Sequence, residues 1–564
     1  MEAFVADLER SGEKHRPEKF ADFRKVLANV AAHPNRRYFI FKSIILNNLY
    51  GVDIMEEAVE ICKLRLFLKL AAQVEPDTAR DNLGIEPLPD IDFNIRAGNT
   101  LVGYPAYDEV QPAATGKLDF DNAMEKIAVK AADLQQAFDA FRARQVVGDG
   151  SVPTEDKQEL RKRLNALDGE LNHYLAGEYG VDPAKKGTYV EWLKSHQPFH
   201  WFVEFYGIMN DGGFDVIIGN PPYVELNAVD DYELRGFVCM ESGNLYALTI
   251  ERCHKLGRKD GRQGYIVPVS SVSTDRYATL QHLLARREDH FSSYDDRPSR
   301  LFDGLEHIRL TIHILGRPAH TPELFSTRYS KWMADERPAL FAKLRFTRTR
   351  PALVERTLPK CSADLEESLV AKLASQRSSL AIYYARTGRH RIFYSRKVGY
   401  FLQVLDFEPR VLDGRGRRRS PSEFKELIFG SAEHAQVALC CLNAGLFYWF
   451  VTVFSDCRHV NKREVDALPI NLEALVRSTA RASLLSLGES LMKDLKKHSE
   501  NRTMRFQHDT LTVQCFYPSA SKVIIDDIDR VLARHYDFTE EELDFIINYD
   551  IKYRMGRDAA GEDE

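Results

Sequence analysis

The sequence lacks the features that mark secreted, zinc-bound or strongly basic proteins. Its eight cysteines are scattered without a C-x-x-C pair, which argues against a disulfide scaffold or a zinc ribbon and predicts the reduced thiols of a cytoplasmic protein. Lys and Arg number 77 against 83 Asp and Glu, a net charge of −6, so a globally basic coat protein for nucleic acid is excluded. The first fourteen residues carry six charges and no apolar run, so we expect no signal peptide.

Long apolar runs are also scarce. One, residues 437–454, has the length of a short membrane-spanning helix, but it is rich in aromatic and β-branched residues and contains Gly445. We therefore expect a buried helix followed by a strand, and no membrane segment. The length of 564 residues corresponds to roughly three or four domains, and 44% hydrophobic residues are enough to build their cores.

Short apolar segments alternate with helical patterns in the first 330 residues. Strands are predicted at residues 49–54, 93–97, 214–218, 264–269 and 309–315, and a helix at residues 56–70. This alternation predicts an α/β fold with a parallel, doubly wound sheet.

Two amphipathic helices are expected between the second and third of these strands. Their apolar faces are formed by Ile127, Leu134, Phe138 and Phe141, and by Leu160, Leu164, Leu167, Leu171 and Leu175, which predicts an inserted helical hairpin. A coiled coil that binds a partner is the alternative.

The predicted regions are residues 1–104, N-terminal helices and the first part of the α/β domain; 105–200, the insertion; 201–330, the rest of the α/β domain; 331–520, a mixed α/β domain; and 521–564, terminal helices and an acidic tail.

Positive charge is concentrated in one segment. Residues 341–420 hold 18 Lys and Arg against 7 Asp and Glu, with aromatic residues between them. Such a patch suits a phosphate backbone, and an Arg-rich solvated surface explains the composition equally well. The candidate nucleic-acid contacts are Arg386, Arg389, Arg391, Arg396, Lys397, Arg415, Arg417, Arg418 and Arg419.

The strongest chemical signal is the tetrapeptide Asn220, Pro221, Pro222 and Tyr223, directly after the apolar run 214–219. Two prolines hold a rigid turn at the carboxyl end of a strand, where open α/β sheets bind ligands. The Asn220 side-chain oxygen and the Pro221 carbonyl oxygen can both accept from one NH2 group, and Tyr223 offers a stacking face. Alone, the tetrapeptide is a loop start; after a buried strand, it predicts a site that turns an amino nitrogen toward a methyl donor.

The motif and its setting resemble the amino-group adenine DNA methyltransferases, in particular the large restriction-modification and phage-defence enzymes that join methylase and target-recognition regions. The resemblance covers nearly the whole chain and implies an S-adenosylmethionine-dependent fold. It implies that Asp53 binds the ribose hydroxyls of the cofactor, that Ile54 and Met55 pack on its adenine, and that Asn99 contacts its amino group. Smaller relatives often carry Asp at the place of Asn99, and an amide can make the same contact.

The resemblance further implies that the substrate is double-stranded DNA and that the target adenine is flipped out of the helix. Tyr223 would stack on one face of that base and Phe302 on the other. Transfer would be direct, because cytosine-ring methylation needs a nucleophilic cysteine, and none of the eight lies in a suitable turn.

One part of the family pattern is missing. The family has an upstream strand that ends in a glycine-rich cofactor loop, whereas the only glycine before Gly51 is Gly12, in a polar setting. We therefore expect this chain to be the C-terminal portion of a methyltransferase whose first strand is absent, with a separate chain as a possible source of that strand.

Two other functions stay open. The chain could be a non-catalytic DNA-binding or assembly fragment, which the missing loop favours. It could also methylate RNA or a protein amide, which present the same planar NH2 group, although the roughly 230 residues after the last predicted sheet strand favour a long substrate. Asp456, Cys457 and His459 stand close together, but with no second cluster they predict a structural loop or DNA contact and no metal site.

Overall fold

The computed structural model describes residues 21–109, 120–146, 153–321, 323–349, 353–362, 364–505 and 509–555. The chain divides into two compact units. The first comprises Met1–Phe214, Asn227–Phe237 and Arg252–Arg258, and the second comprises Asp215–Leu226, Val238–Glu251 and Lys259–Glu564. The predicted acidic tail, residues 561–564, lies outside the described residues.

The elements up to residue 219 are helices with two short strands and one longer one. In chain order they are α1 (Ala21–Ala32), α2 (Arg36–Asn48), β1 (Gly51–Asp53), α3 (Glu56–Ala71), β2 (Ile95–Ala97), α4 (Phe120–Val146), α5 (Thr154–Glu178), α6 (Lys186–His196), α7 (Trp201–Glu204), α8 (Tyr206–Asn210) and β3 (Phe214–Gly219).

Strands predominate in the next part of the chain. The elements are α9 (Leu245–Leu256), β4 (Gly257–Pro268), α10 (Ser270–Ser273), α11 (Ala278–Leu284), β5 (Arg287–Tyr294), β6 (Leu310–Pro318), β7 (Leu324–Ser326), β8 (Thr347–Arg348), α12 (Asp364–Ala374), β9 (His390–Ser395), β10 (Val404–Leu405), β11 (Val411–Leu412), β12 (Arg418–Arg419) and β13 (Phe424–Phe429).

The remaining described elements are mostly helical. They are α13 (Ala432–Asn443), α14 (Gly445–Phe454), α15 (Lys462–Ala467), α16 (Leu472–Arg477), α17 (Ala480–Lys497), β14 (Ser499–Arg505), β15 (Thr510–Phe516), α18 (Lys522–Tyr536), α19 (Glu540–Asn548) and α20 (Ile551–Arg554).

In the first unit, the predicted strand-turn-helix segment is confirmed. β1 pairs with β2 in parallel, with Asp53 opposite Ala97, and α3 follows β1 with two glutamates in its first turn. Such acids stabilise the positive end of a helix dipole. The carboxyl ends of both strands therefore lie at one edge of this small sheet.

The inserted helical hairpin is also confirmed. α4 and α5 bury the apolar residues that the sequence assigned to their inner faces, together with Trp192 and Phe202 of later helices. Spacings of three and four residues place these side chains on one side of each helix, so the two faces form a common core.

The second unit contains a mixed sheet, which corrects the expectation of a parallel one. Within the described residues the strand order is β3-β4-β6-β5-β7-β8, and β6 runs antiparallel to both β4 and β5. β5 and β6 are joined by the loop 295–309, which contains no helix, whereas parallel neighbours are usually joined through a crossover helix. β5 itself, with four consecutive buried residues at its end, was not predicted.

Beyond residue 331 the second unit is mixed α/β. It has antiparallel sheets of order β10-β9-β13 and β12-β11-β15-β14, and a core that contains α13 and α14. The predicted burial of residues 437–454 is confirmed, but the predicted helix-then-strand is wrong, since α14 is a helix. Every residue of α14 is buried, and a helix that is apolar all round shows no period that separates it from a buried strand.

No single helix in the described ranges is long and apolar enough to cross a membrane. α13 and α14 meet the length and composition of a span only as a pair, bent by 65°.

Candidate active site

The predicted Asn-Pro-Pro-Tyr turn directly follows β3 in the second unit. Asn220 is exposed, Pro221 is buried and Tyr223 is half-buried. The Tyr223 hydroxyl lies 2.6 Å from Asn220 Oδ1 and 2.9 Å from the carbonyl oxygen of Ile266 on β4. Burial raises the pKa of this hydroxyl to about 12, so it stays protonated at neutral pH and donates its one proton to one of these two acceptors at a time.

The exit of the turn is fixed by backbone pairing. Leu226 N donates to Gly243 O, and Leu245 N donates to Val224 O, both at 2.9 Å. These bonds join the turn to the start of α9, where Asn244 and Tyr246 lie. The structure thus brings the Asn244–Tyr246 segment against the turn.

Glu225 and Arg276 form an ion pair beside the turn that the sequence did not reveal. Arg276 donates to both Glu225 oxygens, at 2.9 and 2.6 Å, and these bonds hold the pKa of Glu225 below its usual range. Asn244 Nδ2 lies 3.3 Å from the same carboxylate. Since Glu225 and Arg276 are 51 residues apart, no local spacing could have identified the pair.

Two further aromatic rings, those of Tyr246 and Tyr277, pack in series beside Tyr223. Tyr246 meets Tyr223 edge-on, with ring centroids 6.4 Å apart, and stacks on Tyr277 at 5.2 Å. The Tyr246 hydroxyl lies 3.2 Å from Ser270 Oγ. The Tyr246 ring is thus held by its hydroxyl contact, by its stacking on Tyr277 and by its edge-to-face contact with Tyr223. These contacts leave it little freedom to rotate.

Phe302 is close to this group. Tyr223 and Phe302 both pack, partly buried, against the cluster of Tyr294, Leu301, Leu310, Trp332 and Leu340. Arg337 fixes the Phe302 loop by donating to Arg300 O at 3.0 Å and Leu301 O at 2.7 Å. The two predicted stacking residues therefore share one cluster.

The predicted cofactor residues lie in the first unit. Asp53 and Asn99 follow the parallel strands β1 and β2, and Gly98 N donates to Asp53 O at 2.9 Å. Asp53 is exposed, and its Oδ1 accepts from Met55 N at 2.9 Å. Ile54 and Met55 are 36% and 57% exposed, so an acid and two apolar side chains are open to a ligand here.

Asn99 is oriented by its neighbours. It is 3% exposed, and its Oδ1 accepts from Leu101 N at 3.0 Å. Its amide nitrogen is buried without a hydrogen bond of good geometry among the described residues, and the polar group that it interacts with is the Tyr232 hydroxyl. Gly98 permits this packing, because a Cβ there would lie 2.7 Å from the Phe199 ring.

These side chains fit the nucleoside half of S-adenosylmethionine. A carboxylate binds ribose hydroxyls, and apolar side chains cover a purine. The amide nitrogen of Asn99 is buried and faces the Tyr232 hydroxyl.

The candidate DNA-contacting residues differ in their ion pairing. Four of them form ion pairs: Arg391 with Glu426, Arg417 with Asp413, Arg418 with Glu408 and Arg419 with Asp509, at 2.8 to 3.3 Å. The remaining five have no ion pair in the described part of the chain, and except for half-buried Arg396 they are exposed: Arg386, Arg389, Arg396, Lys397 and Arg415.

The described residues contain no group of three or more His, Cys, Asp or Glu side chains placed to hold a metal ion. In the segment 454–462, Asp456 Oδ1 instead accepts from the backbone nitrogens of Arg458 and His459, at 2.8 and 3.0 Å. This carboxylate shapes a turn.

Comparison with known sequences identifies a related family. Residues 47–296 match the family described as Eco57I restriction-modification methylase. A protein of Methanocaldococcus jannaschii named as a type II restriction enzyme and methyltransferase is 30% identical over 277 residues, which is 42% of this chain and 23% of that protein. The chain therefore covers about a quarter of that relative's length.

Solved structures give weaker matches. The type IIL restriction-modification enzyme MmeI in complex with DNA has a TM-score of 0.38 and 10% identity, over 98% of this chain and 78% of that one. The DrdV-DNA complex has a TM-score of 0.23 and 16% identity, over 28% of this chain and 20% of that one.

Proposed function

We propose that this chain is a DNA methyltransferase of a restriction-modification or phage-defence system, which transfers a methyl group from S-adenosylmethionine to the N6 amino group of adenine. The observation that carries the proposal is the Asn220–Tyr223 turn at the end of β3. Its amide oxygen lies within hydrogen-bond distance of the Tyr223 hydroxyl, which has the Ile266 carbonyl oxygen on β4 as a second acceptor for its one proton.

The turn suits an amino group as nucleophile. The Asn220 side-chain oxygen has a second lone pair besides the one that faces Tyr223, and the Pro221 carbonyl oxygen can accept the other N–H of the same amino group. Two acceptors on one side of the nitrogen direct its lone pair to the other side. The gain comes from positioning and from acceptors already in place.

The adenine must leave double-stranded DNA to reach this turn, at a cost of a few kcal/mol. Tyr223 and Phe302 would stack on its two faces. S-adenosylmethionine would supply an electrophilic methyl group and be held through its nucleoside by Asp53, Ile54, Met55 and Asn99. The amino nitrogen forms the new N–C bond, the methyl–sulfur bond breaks, and the nitrogen releases one proton to solvent.

Methyl transfer with a tritium-labelled cofactor tests this proposal. The chain, wild type or Asn220→Ala, is incubated with duplex DNA and the DNA-bound label is counted. We expect label with the wild type and at least a 100-fold lower rate for Asn220→Ala, since preorganised acceptors contribute about that much. Asn548→Ala is the matched control, because Asn548 is exposed and bonds only to Asp544 on α19. Equal rates for all three proteins would refute the proposed role of the turn.

A second candidate function is a non-catalytic DNA-binding or assembly fragment. It is favoured by the open edge of the second unit's sheet, where β3 pairs with β4 on one side only. On β3, Ile218 is 81% exposed and Val216 is 60% exposed. A chain that binds DNA but transfers no label would fit this function.

The same edge supports a partner that completes the sheet. An exposed apolar edge strand is a template for another strand, so we propose that a separate chain provides the missing strand and its glycine-rich loop. In that case both label transfer and its loss in Asn220→Ala would require the partner.

A further inference from the structure

The basic side chains of residues 341–420 fall into two groups, those that form ion pairs with carboxylates and those that form none in the described ranges. Arg417, Arg418 and Arg419 are exposed, but each faces a carboxylate within 3.3 Å. Paired cations have less charge to offer to a phosphate, because a phosphate must compete with the existing carboxylate. The arginine-rich loop that is most conspicuous in the sequence is therefore a poor phosphate site.

A second set of basic side chains is brought together only by the fold. Lys397 and His459 form an antiparallel bridge, with Val460 N donating to Arg396 O at 2.7 Å and Val398 N donating to Arg458 O at 3.2 Å. We call Arg396, Lys397, Arg458 and His459 the basic tip. About sixty residues separate its two halves along the chain.

The cations of the tip have no ion pair in the described ranges. Lys397 and Arg458 are exposed and Arg396 is half-buried. The neighbouring acids are Asp456, which uses Oδ1 for the backbone of the tip, and Glu423, whose carbonyl accepts from Arg396 N at 2.8 Å. Arg386 and Arg389, in the loop before β9, and Arg415, in the turn between β11 and β12, also have no ion pair in the part of the chain that the structure describes, but they lie outside the tip.

The tip is linked to the candidate active site through one short path. Three residues after the tip's last backbone bond, Arg463 on α15 pairs with Asp275 and donates to Ser273 O. Arg276, the residue after Asp275, donates to Glu225. Glu225 lies two residues beyond Tyr223. A series of side-chain contacts thus leads from the segment after the tip to Glu225, which follows the Asn220–Tyr223 turn.

We propose that the basic tip, and not the Arg417–Arg419 strand, is where the second unit holds the phosphate backbone of DNA. The inference rests on the proposal that the substrate is DNA, and it names the surface that would bind it. Three cations that have no ion pair within the described ranges can neutralise about three phosphates. Backbone contacts of this kind fix the register of a protein on a duplex without reading its sequence.

Two charge-matched variants test the tip. One carries Arg396→Gln, Lys397→Gln and Arg458→Gln, and the control carries Arg417→Gln, Arg418→Gln and Arg419→Gln. Binding of the full chain to a fluorescein-labelled mixed-sequence duplex is followed by anisotropy between 50 and 200 mM KCl. We expect the tip variant to lower the slope of log K against log salt by about two to three and to weaken binding at least tenfold, and the control to change the slope by less than about one.

Several results would overturn the inference: equal effects of the two variants, a larger effect of the control, no duplex binding by the wild type, or tighter binding to a single-stranded RNA of the same length. Thermal unfolding checks that both variants fold. If the triple tip variant does not, the single Lys397→Gln exchange must still lower the slope by about one. Tip-dependent binding without methyl transfer would refute the proposed catalysis alone, and transfer without tip dependence would refute this inference alone.

Discussion

At the scale of single residues, the structure adds a fixed hydroxyl to the predicted turn. The sequence places Tyr223 as a stacking ring, and the coordinates show its hydroxyl bonded to Asn220 and to Ile266. The amide oxygen that would accept the substrate N–H is therefore oriented before any substrate arrives. Such preorganisation is what makes an acceptor effective in a transition state.

A second feature at this scale is the buried carboxyl group of Asp529 on α18, whose protonation affects the stability of the fold. It accepts from Gly445 N and Leu446 N, at 2.9 and 3.0 Å, and so caps α14. Gly445 allows this approach, since a Cβ there would lie 2.7 Å from Asp529 Oδ2. Burial raises the pKa of Asp529 from 3.8 to about 6.

The consequence is a stability that falls as the pH rises. The folded state holds the Asp529 proton more tightly than the unfolded state, so the free energy of unfolding drops between about pH 4 and pH 6 and this contribution is constant above. We expect the wild type to lose about 3 kcal/mol over that range relative to Asp529→Asn. Urea unfolding of both proteins at each pH measures this difference in the free energy of unfolding. If the free energy of unfolding changed with pH in the same way in both proteins, the raised pKa of Asp529 would be contradicted.

Which parts of the site can be predicted depends on where the signal lies. The Asn220–Tyr223 turn is contiguous and follows an apolar strand, so it is visible in the sequence. The Glu225–Arg276 pair joins distant segments through side chains, and the Lys397–His459 bridge joins them through the backbone. No local sequence pattern encodes either contact. The predicted DNA contacts included both Arg396 and Lys397 and the ion-paired Arg417–Arg419 segment. Sequence could not separate the two groups, because it shows charges without their partners.

At the scale of elements, periodicity predicts the amphipathic helices and fails for fully buried ones. α4 and α5 each have one apolar face, and both were found. α14 has no polar face, so its sequence fits a strand as well as a helix. The strand β6 was predicted at residues 309–315, but its antiparallel direction was not. Strand β5, which precedes it, was not predicted at all, and the loop between the two carries no signal of strand direction.

The edge strand β3 gives a prediction at this scale. Ile218 is 81% exposed and Val267 on the neighbouring β4 is fully buried. In the chain alone we expect Ile218→Lys to change the free energy of unfolding by less than about 0.5 kcal/mol, and Val267→Lys to cost more than about 3 kcal/mol, because only the second buries a charge. Urea unfolding provides the measurement. A large loss for Ile218→Lys would show that this edge is already covered.

At the scale of the whole molecule, the chain places candidate cofactor residues in one unit and the catalytic turn in the other. Asp53 and Asn99 belong to the first unit, and the Asn220–Tyr223 turn and the basic tip belong to the second. The chain covers 23% of its archaeal relative. Under the proposed function, we expect Asp53→Ala in the first unit and Asn220→Ala in the second each to lower methyl transfer.

The most direct test of the central claim is to identify the methylated atom. The chain, with its partner if one is required, is expressed in a bacterial host without adenine methylation of its own, and the host DNA is digested to nucleosides for mass spectrometry. The account predicts N6-methyladenine that disappears with Asn220→Ala. Asn220-dependent methylation of cytosine, RNA or protein in place of adenine would contradict it.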